Sequence, residues 1–277
     1  MLATRALSVG RALDLESASV GAIHSVFSQA VNLEMRGNLW TIVGPERTDL
    51  PLGMRVALNC FDLLGLRRGE QVNVRSGFVG IGSRSARLVI DCRAAPRWIP
   101  ACPAKRAPGL LHRLRVVAAA ARNRAWHGSA RMACAVMDAL VHRAALSDAL
   151  AAVVGCGPGS TPAGDDVLVG ILAVLKSPHS GASGAQAADT LSRSLLPLLP
   201  TTTDLSGHLL RQAAGGLFGR SVHELVCALI GDCAPKQLKE TVERVVEAGA
   251  TSGADMCTGV LACAPAFLLA HHGRAAA

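Results

Sequence analysis

The chain is predicted to be α+β: an N-terminal, mostly antiparallel β domain over residues 1–100, then an all-α domain over residues 101–277. Three observations carry this. Short apolar runs bounded by Gly, Pro, Asn or Arg fill the stretch from about Val20 to Ile99. A Pro-rich segment, Ala95 to Pro108, interrupts the pattern, and long Ala/Leu/Val segments without turn punctuation follow it. With 277 residues and 50% hydrophobic content, the chain can bury full cores without disulfide staples.

Taken in order, the strand candidates are Ala22 to Phe27, Leu39 to Val43, Gln71 to Val74 and Ser85 to Ile90, with Leu50 to Phe61 as a further strand-pair element. The helix candidates are Gly109 to Ala121, Ser129 to Val154, Val167 to Leu175, Ala185 to Leu196, Gly207 to Ala214, Ser221 to Ile230, Pro235 to Ala248 and Asp255 to His271. Gly249 and Gly273 stand where glycines would end two of these helices.

Charge narrows the partners. Residues 1–131 carry 19 Lys+Arg against 8 Asp+Glu, while residues 132–277 carry 9 against 12. A basic half raises nucleic acid first, but 18 of those 19 are scattered arginines and the chain has 3% aromatics and no Tyr, so stacking platforms are scarce. No nucleic acid is expected; a solvated surface or a docking face for an acidic partner fits better. Nine cysteines without a C-x-x-C pair or metal-finger spacing, mostly inside apolar stretches, are expected to be buried free thiols in a reducing cytoplasm. No signal sequence is evident, and Cys257 to Ala270 is too short to span a bilayer and contains Pro265, so no membrane association is expected.

The densest chemistry lies in G-C-G-P-G-S-T-P-A-G-D-D, Gly155 to Asp166, which stands before the apolar run from Val167 to Leu175. Four glycines and two prolines fix an unusual backbone path, and a helix N-terminus offers free N–H groups to an anion. The spacing Gly159-x-x-x-x-Gly164 matches a phosphate loop, but Asp165 and Asp166 occupy the places of its Lys and Ser/Thr. Carboxylates there would repel a phosphate by about 4 kcal/mol at an effective dielectric of 20 and 4 Å. Nucleotide binding by that device is excluded. What survives places an anion on Gly155, Gly157, Gly159, Ser160, Thr161 and Gly164, with Asp165 and Asp166 capping the helix, orienting the loop or holding a divalent cation such as Mg²⁺. The plainer alternative is a rigid helix entry with aspartates complementing the dipole.

The segment 164–173 has an echo at 253–262, both reading G-x-D-x-x-x-G-[IV]-L-A. Asp166 and Asp255 thus open two similar helices, and Gly170 and Gly259, four residues on, are expected to let those helices pack closely with both starts facing one pocket. Around Asp255, Ser252 and Gly253 join the candidate anion contacts, although Ser252 as N-cap with Asp255 three residues on would be a capping-box relative. T-T-T-D-L-S-G-H, 201–208, adds Ser206 on the same terms, with an ordinary N-cap as the rival reading. Cys156, His208, His223 and the pair His271-His272 lack companions in sequence and are set aside.

The motif G-C-G-P-G-S-T-P-A-G-D-D-V-L-V-G resembles the G-x-G-x-G-L-T-P-x-G-D-D-x-L-x-G signature of the AllH family, with Ser160 where that family usually has Leu. T-D-L-S-G-H-L-L-R-Q-A-A-G-G from Thr203 and G-A-T-S-G-A-D-M-C-T-G from Gly249 are similar to its other two blocks, in the same order, and H-S-V-F-S-Q-A-V-N-L-E from His24 is loosely similar to its opening block. The resemblance implies a subunit of oxamate carbamoyltransferase in purine and allantoin catabolism. That enzyme interconverts oxalurate plus phosphate with oxamate plus carbamoyl phosphate, and its partners include FdrA-type subunits. On this expectation Asp165, Asp166 and Asp255 are the catalytic candidates and the ligand is a small anion. The S-T-R-T phosphate motif of ordinary carbamoyltransferases is absent from the sequence, so a different site geometry is required. A non-catalytic anion-sensing or assembly subunit and a Mg²⁺-dependent hydrolase using the aspartates stay open, as does homo-oligomerisation.

Overall fold

A computed structural model describes residues 2–82, 87–142 and 145–269. The chain divides into two compact units, Met1–Pro100 and Ala101–Ala277.

The first unit is a sheet of β1 (Leu2–Gly10), β2 (Ser19–Val26), β3 (Ala30–Met35), β4 (Asn38–Val43), β5 (Gly53–Val56), β6 (Gln71–Arg75), β7 (Phe78–Ile81), β8 (Leu88–Asp91) and β9 (Arg97–Trp98). Its spatial order is β5-β4-β3-β2-β6-β7-β8-β1-β9, and β1 also pairs with β5. That second pairing closes the sheet into a barrel and removes its main free edge. Most ladders are antiparallel; β1–β8, β1–β9 and β4–β5 are parallel. Alternation along β6 and β7 turns Val72, Val74, Val79 and Ile81 inward, and Phe61, on a 3₁₀ turn, joins Leu33, Met35 and Ile42 inside.

The expected mostly antiparallel β region is present, and its strands differ from the expected set in two respects. Strands β1, β3, β7 and β9 fall outside the strand candidates: β1 precedes the region read as β-like, Asn32 and Glu34 interrupt β3, and β7 and β9 are only four and two residues long. The anticipated strand at Ser85 to Ile90 is observed from Leu88; Ser85 and Ala86 lie outside the described residues.

The second unit is helical: α1 (Leu110–Ala121), α2 (Ser129–His142), α3 (Leu146–Val153), α4 (Ala163–Leu175), α5 (Gly181–Leu195), α6 (Asp204–Ala214), α7 (Arg220–Ile230), α8 (Pro235–Val246) and α9 (Ser252–Ala264). The single helix expected over Ser129 to Val154 is two, α2 and α3. Helix α4 begins at Ala163, so the Gly-Asp-Asp lies inside its first turn rather than before it. Every residue of α4 is buried, which makes it the central helix of the unit. Gly249, at φ 73°, follows α8 in the left-handed conformation expected of it, whereas Gly273 and the His271-His272 pair lie outside the described residues.

Pro265 does not end the last helix. It opens a π-helical turn, Pro265–Leu269, that continues α9. The resulting 18-residue segment Ser252–Leu269 is long and apolar enough to cross a membrane by length and composition, yet 56% of it is buried within the protein. The apolar character is that of a core helix. Cysteine burial also departs from expectation: Cys92, Cys257 and Cys263 are buried, while Cys60, Cys102 and Cys134 are exposed and Cys156, Cys227 and Cys233 are half-buried.

Candidate functional site

Helices α4 and α9 cross through their echoed glycines. A β-carbon on Gly170 would overlap the Met256 carbonyl oxygen, and one on Gly259 would overlap that of Val167. Met256 precedes Gly259 by three residues and Val167 precedes Gly170 by three, so the contact is reciprocal. One step earlier the echo repeats: Gly164 abuts the Val153 carbonyl of α3 and Gly253 that of Val245 of α8. The sequence repeat is therefore a pair of matched helix starts, α4 set against the end of α3 and α9 against α8, with α4 and α9 packed on each other backbone close to backbone.

That crossing brings the helix starts together, as expected. Thr161 Oγ1 and Ser252 Oγ lie 2.9 Å apart. Ser252 is the first residue of α9 and Thr251 its N-cap, without a side-chain cap bond, so the capping-box reading of Ser252 and Asp255 is corrected: the Ser252 hydroxyl turns to Thr161 instead. The ordinary N-cap expected near 201–208 is present. Thr203 Oγ1 accepts from Ser206 N at 3.1 Å and donates to Ser160 O at 2.6 Å.

The three aspartates have different surroundings. Asp165, 1% exposed, is a hub: its Oδ1 accepts from Gly155 N at 2.9 Å, and its Oδ2 accepts from Thr202 Oγ1 at 2.5 Å and Ser206 Oγ at 2.6 Å. It ties both ends of the glycine loop to the start of α6. Asp255, fully buried, accepts from Trp126 N at 2.8 Å and Ser129 Oγ at 2.6 Å through Oδ1, which brings the start of α2 into the cluster. Its Oδ2 has no partner, and neither has Oδ2 of Asp166.

Asp166 is the perturbed member. Burial raises its carboxyl to about 8; hydrogen bonds from Ser252 and Thr161 oppose the rise, and the charges of Asp255 and Asp165 add to it. It is accordingly mostly protonated at neutral pH, in a site where a neutral acid is unusual.

Above the carboxylates the loop is open. Pro158, Gly159 and Ser160 are exposed, while Gly155, Gly157 and Thr161 are half-buried. Gly157 and Gly159 take φ of 112° and 97°, which strains any residue with a β-carbon. A side chain at Gly159 would meet only open space, so its conformation rather than its room demands glycine. The arrangement thus layers an accessible, N–H-bearing loop over a buried carboxylic acid, with the hydroxyl pair Thr161 and Ser252 between them.

As a cation site the cluster is thin. Both Asp165 oxygens already face donors, so of the metal candidates Asp165 and Asp166 only Asp166 keeps an oxygen to give. Cys156 is half-buried beside the loop and its backbone N–H closes a turn onto Val153 O. The sequence did not reveal Trp126 and Ser129, because nothing in a chain position about 130 residues from Asp255 signals the contact.

Comparison with known families follows this division of the chain. Residues 153–264 match the model described as oxamate carbamoyltransferase subunit AllH, and residues 5–97 match the AllH family N-terminal domain. No solved structure matches the chain.

Proposed function

Because the chain belongs to the AllH family, we propose that it is a subunit of a cytoplasmic carbamoyltransferase-type complex, acting in purine and allantoin catabolism with FdrA-type partners, and that its glycine loop holds a small anion. The observation that carries the reading is a glycine loop exposed at Pro158 to Ser160 whose Thr161 hydroxyl hydrogen-bonds the raised carboxyl of Asp166. Phosphate, carbamoyl phosphate, oxalurate and oxamate all suit backbone N–H groups at a helix start.

In the phosphorolysis direction a phosphate oxygen attacks the ureido carbonyl of oxalurate, an O–C bond forms, the C–N bond breaks, and the departing oxamate nitrogen takes up a proton. Gly155, Gly157, Gly159, Ser160 and Thr161 position the anion, and Gly164 lets α4 start against the end of α3. Asp166 supplies the proton through the hydroxyls of Thr161 and Ser252. Asp165 and Ser206 hold the loop in shape, while Asp255 ties the start of α9 to the start of α2 and Gly253 sets it against α8.

The test is phosphate-dependent release of oxamate from oxalurate by the chain reconstituted with its partner subunits. Asp166→Asn is expected to lower kcat by at least 10²-fold with the fold intact; normal turnover removes the reading. Should the complex turn over normally with Asp165→Asn, Asp166→Asn and Gly159→Ala alike while oxamate still binds the isolated chain, the subunit senses its anion instead of acting on it. Calorimetry with Mg²⁺ distinguishes the hydrolase reading, which requires saturable binding lost in Asp166→Asn.

A further inference from the structure

Away from the aspartates, a second group of side chains converges where the sequence offered no warning. His223 and Cys227 lie four residues apart on one face of α7, and Cys102, in the segment leading to α1, reaches the same point. Cys102 Sγ stands 3.9 Å from Cys227 Sγ and 3.9 Å from His223 Nε2, and Cys227 Sγ stands 3.4 Å from His223 Nε2. Among the described residues this is the only cluster of three or more His, Cys, Asp or Glu ligand atoms within 4.8 Å of one another.

The triangle has the dimensions of a metal's coordination shell. Tetrahedral zinc with Zn–S near 2.3 Å and Zn–N near 2.05 Å sets its sulfurs about 3.8 Å apart and each sulfur about 3.6 Å from the nitrogen. The segment carrying Cys102 is also held in place without a metal. Pro103 O contacts His179 Nε2 at 2.7 Å, Ala107 N donates to Ile230 O at 2.8 Å, and the Arg113 guanidinium donates to Pro108 O, Ala107 O and Leu229 O. The ligands are therefore set before binding, which removes part of the ordering cost.

We infer that Cys102, His223 and Cys227 bind one Zn²⁺. Cys102 is exposed, and Cys227 lines a cavity of about 450 Å³ that also holds Glu224 and Arg244, so solvent reaches the site. Ala101 O lies 2.9 Å from His223 Nε2 and 3.5 Å from Cys227 Sγ, so this carbonyl borders the ion, and binding takes the Nε2 lone pair and puts the ring proton on Nδ1. Both thiols bind as thiolates, so two protons leave for each ion that enters. The site fastens the Cys102 segment to α7 and is independent of the anion loop.

The experiment is an anaerobic Co²⁺ titration of the reduced, chelator-stripped full chain, followed by competition with Zn²⁺. One equivalent should give the visible bands of tetrahedral thiolate coordination, and Zn²⁺ should bleach them. Cys227→Ser and Cys102→Ser should each weaken binding at least 10-fold, while Cys233→Ser, outside the cluster, leaves it unchanged. The exposed position of Cys102 keeps the test decisive if Cys227→Ser misfolds. No saturable spectrum in the reduced wild type, equal affinity in Cys102→Ser, or a Cys102–Cys227 disulfide that re-forms in the presence of stoichiometric Zn²⁺ overturns the assignment.

Discussion

Asp166 and Asp165 are neighbours on one helical turn with opposite fates, and the difference lies in donors. Asp165 meets a backbone N–H and two hydroxyls, whereas Asp166 is buried with one oxygen bare beside two other carboxylates. A folded-state value near 8 against 3.8 in the unfolded chain favours the neutral form in the fold. That contribution is complete below pH 4 and is lost as pH rises through about 8, at up to about 1.4 kcal/mol per unit. Asp166→Asn should therefore be more stable than wild type at pH 8, with the two converging near pH 4; thermal melts across that window measure it. If Asp166 delivers the proton, kcat of the reconstituted complex should fall as pH rises through about 8. At Asp165 the expectation reverses: Asp165→Asn sets an amide N–H against donors and should cost about 1–3 kcal/mol in urea unfolding. The sequence made these residues candidates but could not rank them, since the donors Thr202 and Ser206 reach Asp165 only through folding.

At the scale of elements, the crossing of α4 and α9 was the most legible feature. Two glycines at matched places in a repeated pattern implied close packing, and the reciprocal approach of each to the other helix's backbone is what that pattern encodes. Gly170→Ala and Gly259→Ala should each destabilise by roughly 3 kcal/mol, at or beyond the upper end for core overpacking, because the obstacle is backbone and cannot rotate away. Gly159→Ala, with open space around it, should cost only about 1 kcal/mol of local strain. Chemical unfolding of the three variants orders them. The start of α4 was less legible: Pro162 as N-cap and Ala163 as first residue leave no polar cap to read, so the apolar run from Val167 concealed a helix that begins four residues earlier.

For the molecule as a whole, the change from short strands to long helices was visible in composition, and the break fell where proline density peaks. Barrel closure was not visible, since it depends on β1 pairing with β5 and β8 across more than forty residues, and register over such a span leaves no local trace. The cluster of Cys102, His223 and Cys227 was hidden for the same reason: its spacing in sequence is 121 and 4 residues, far from any finger-like pattern. A histidine read singly on a helix acquired neighbours only when the segment before α1 lay down along α7.

The reciprocal glycine contact has one more effect, on precision. Helices separated by side chains can slide as rotamers change, but α4 and α9 touch through main chain at both crossing points. The spacing between their first turns is consequently machined by covalent geometry, with no soft layer to absorb error. Ser252 and Thr161 are held as a fixed gauge across the seam. Mutation elsewhere in the core can weaken the protein without detuning that gap.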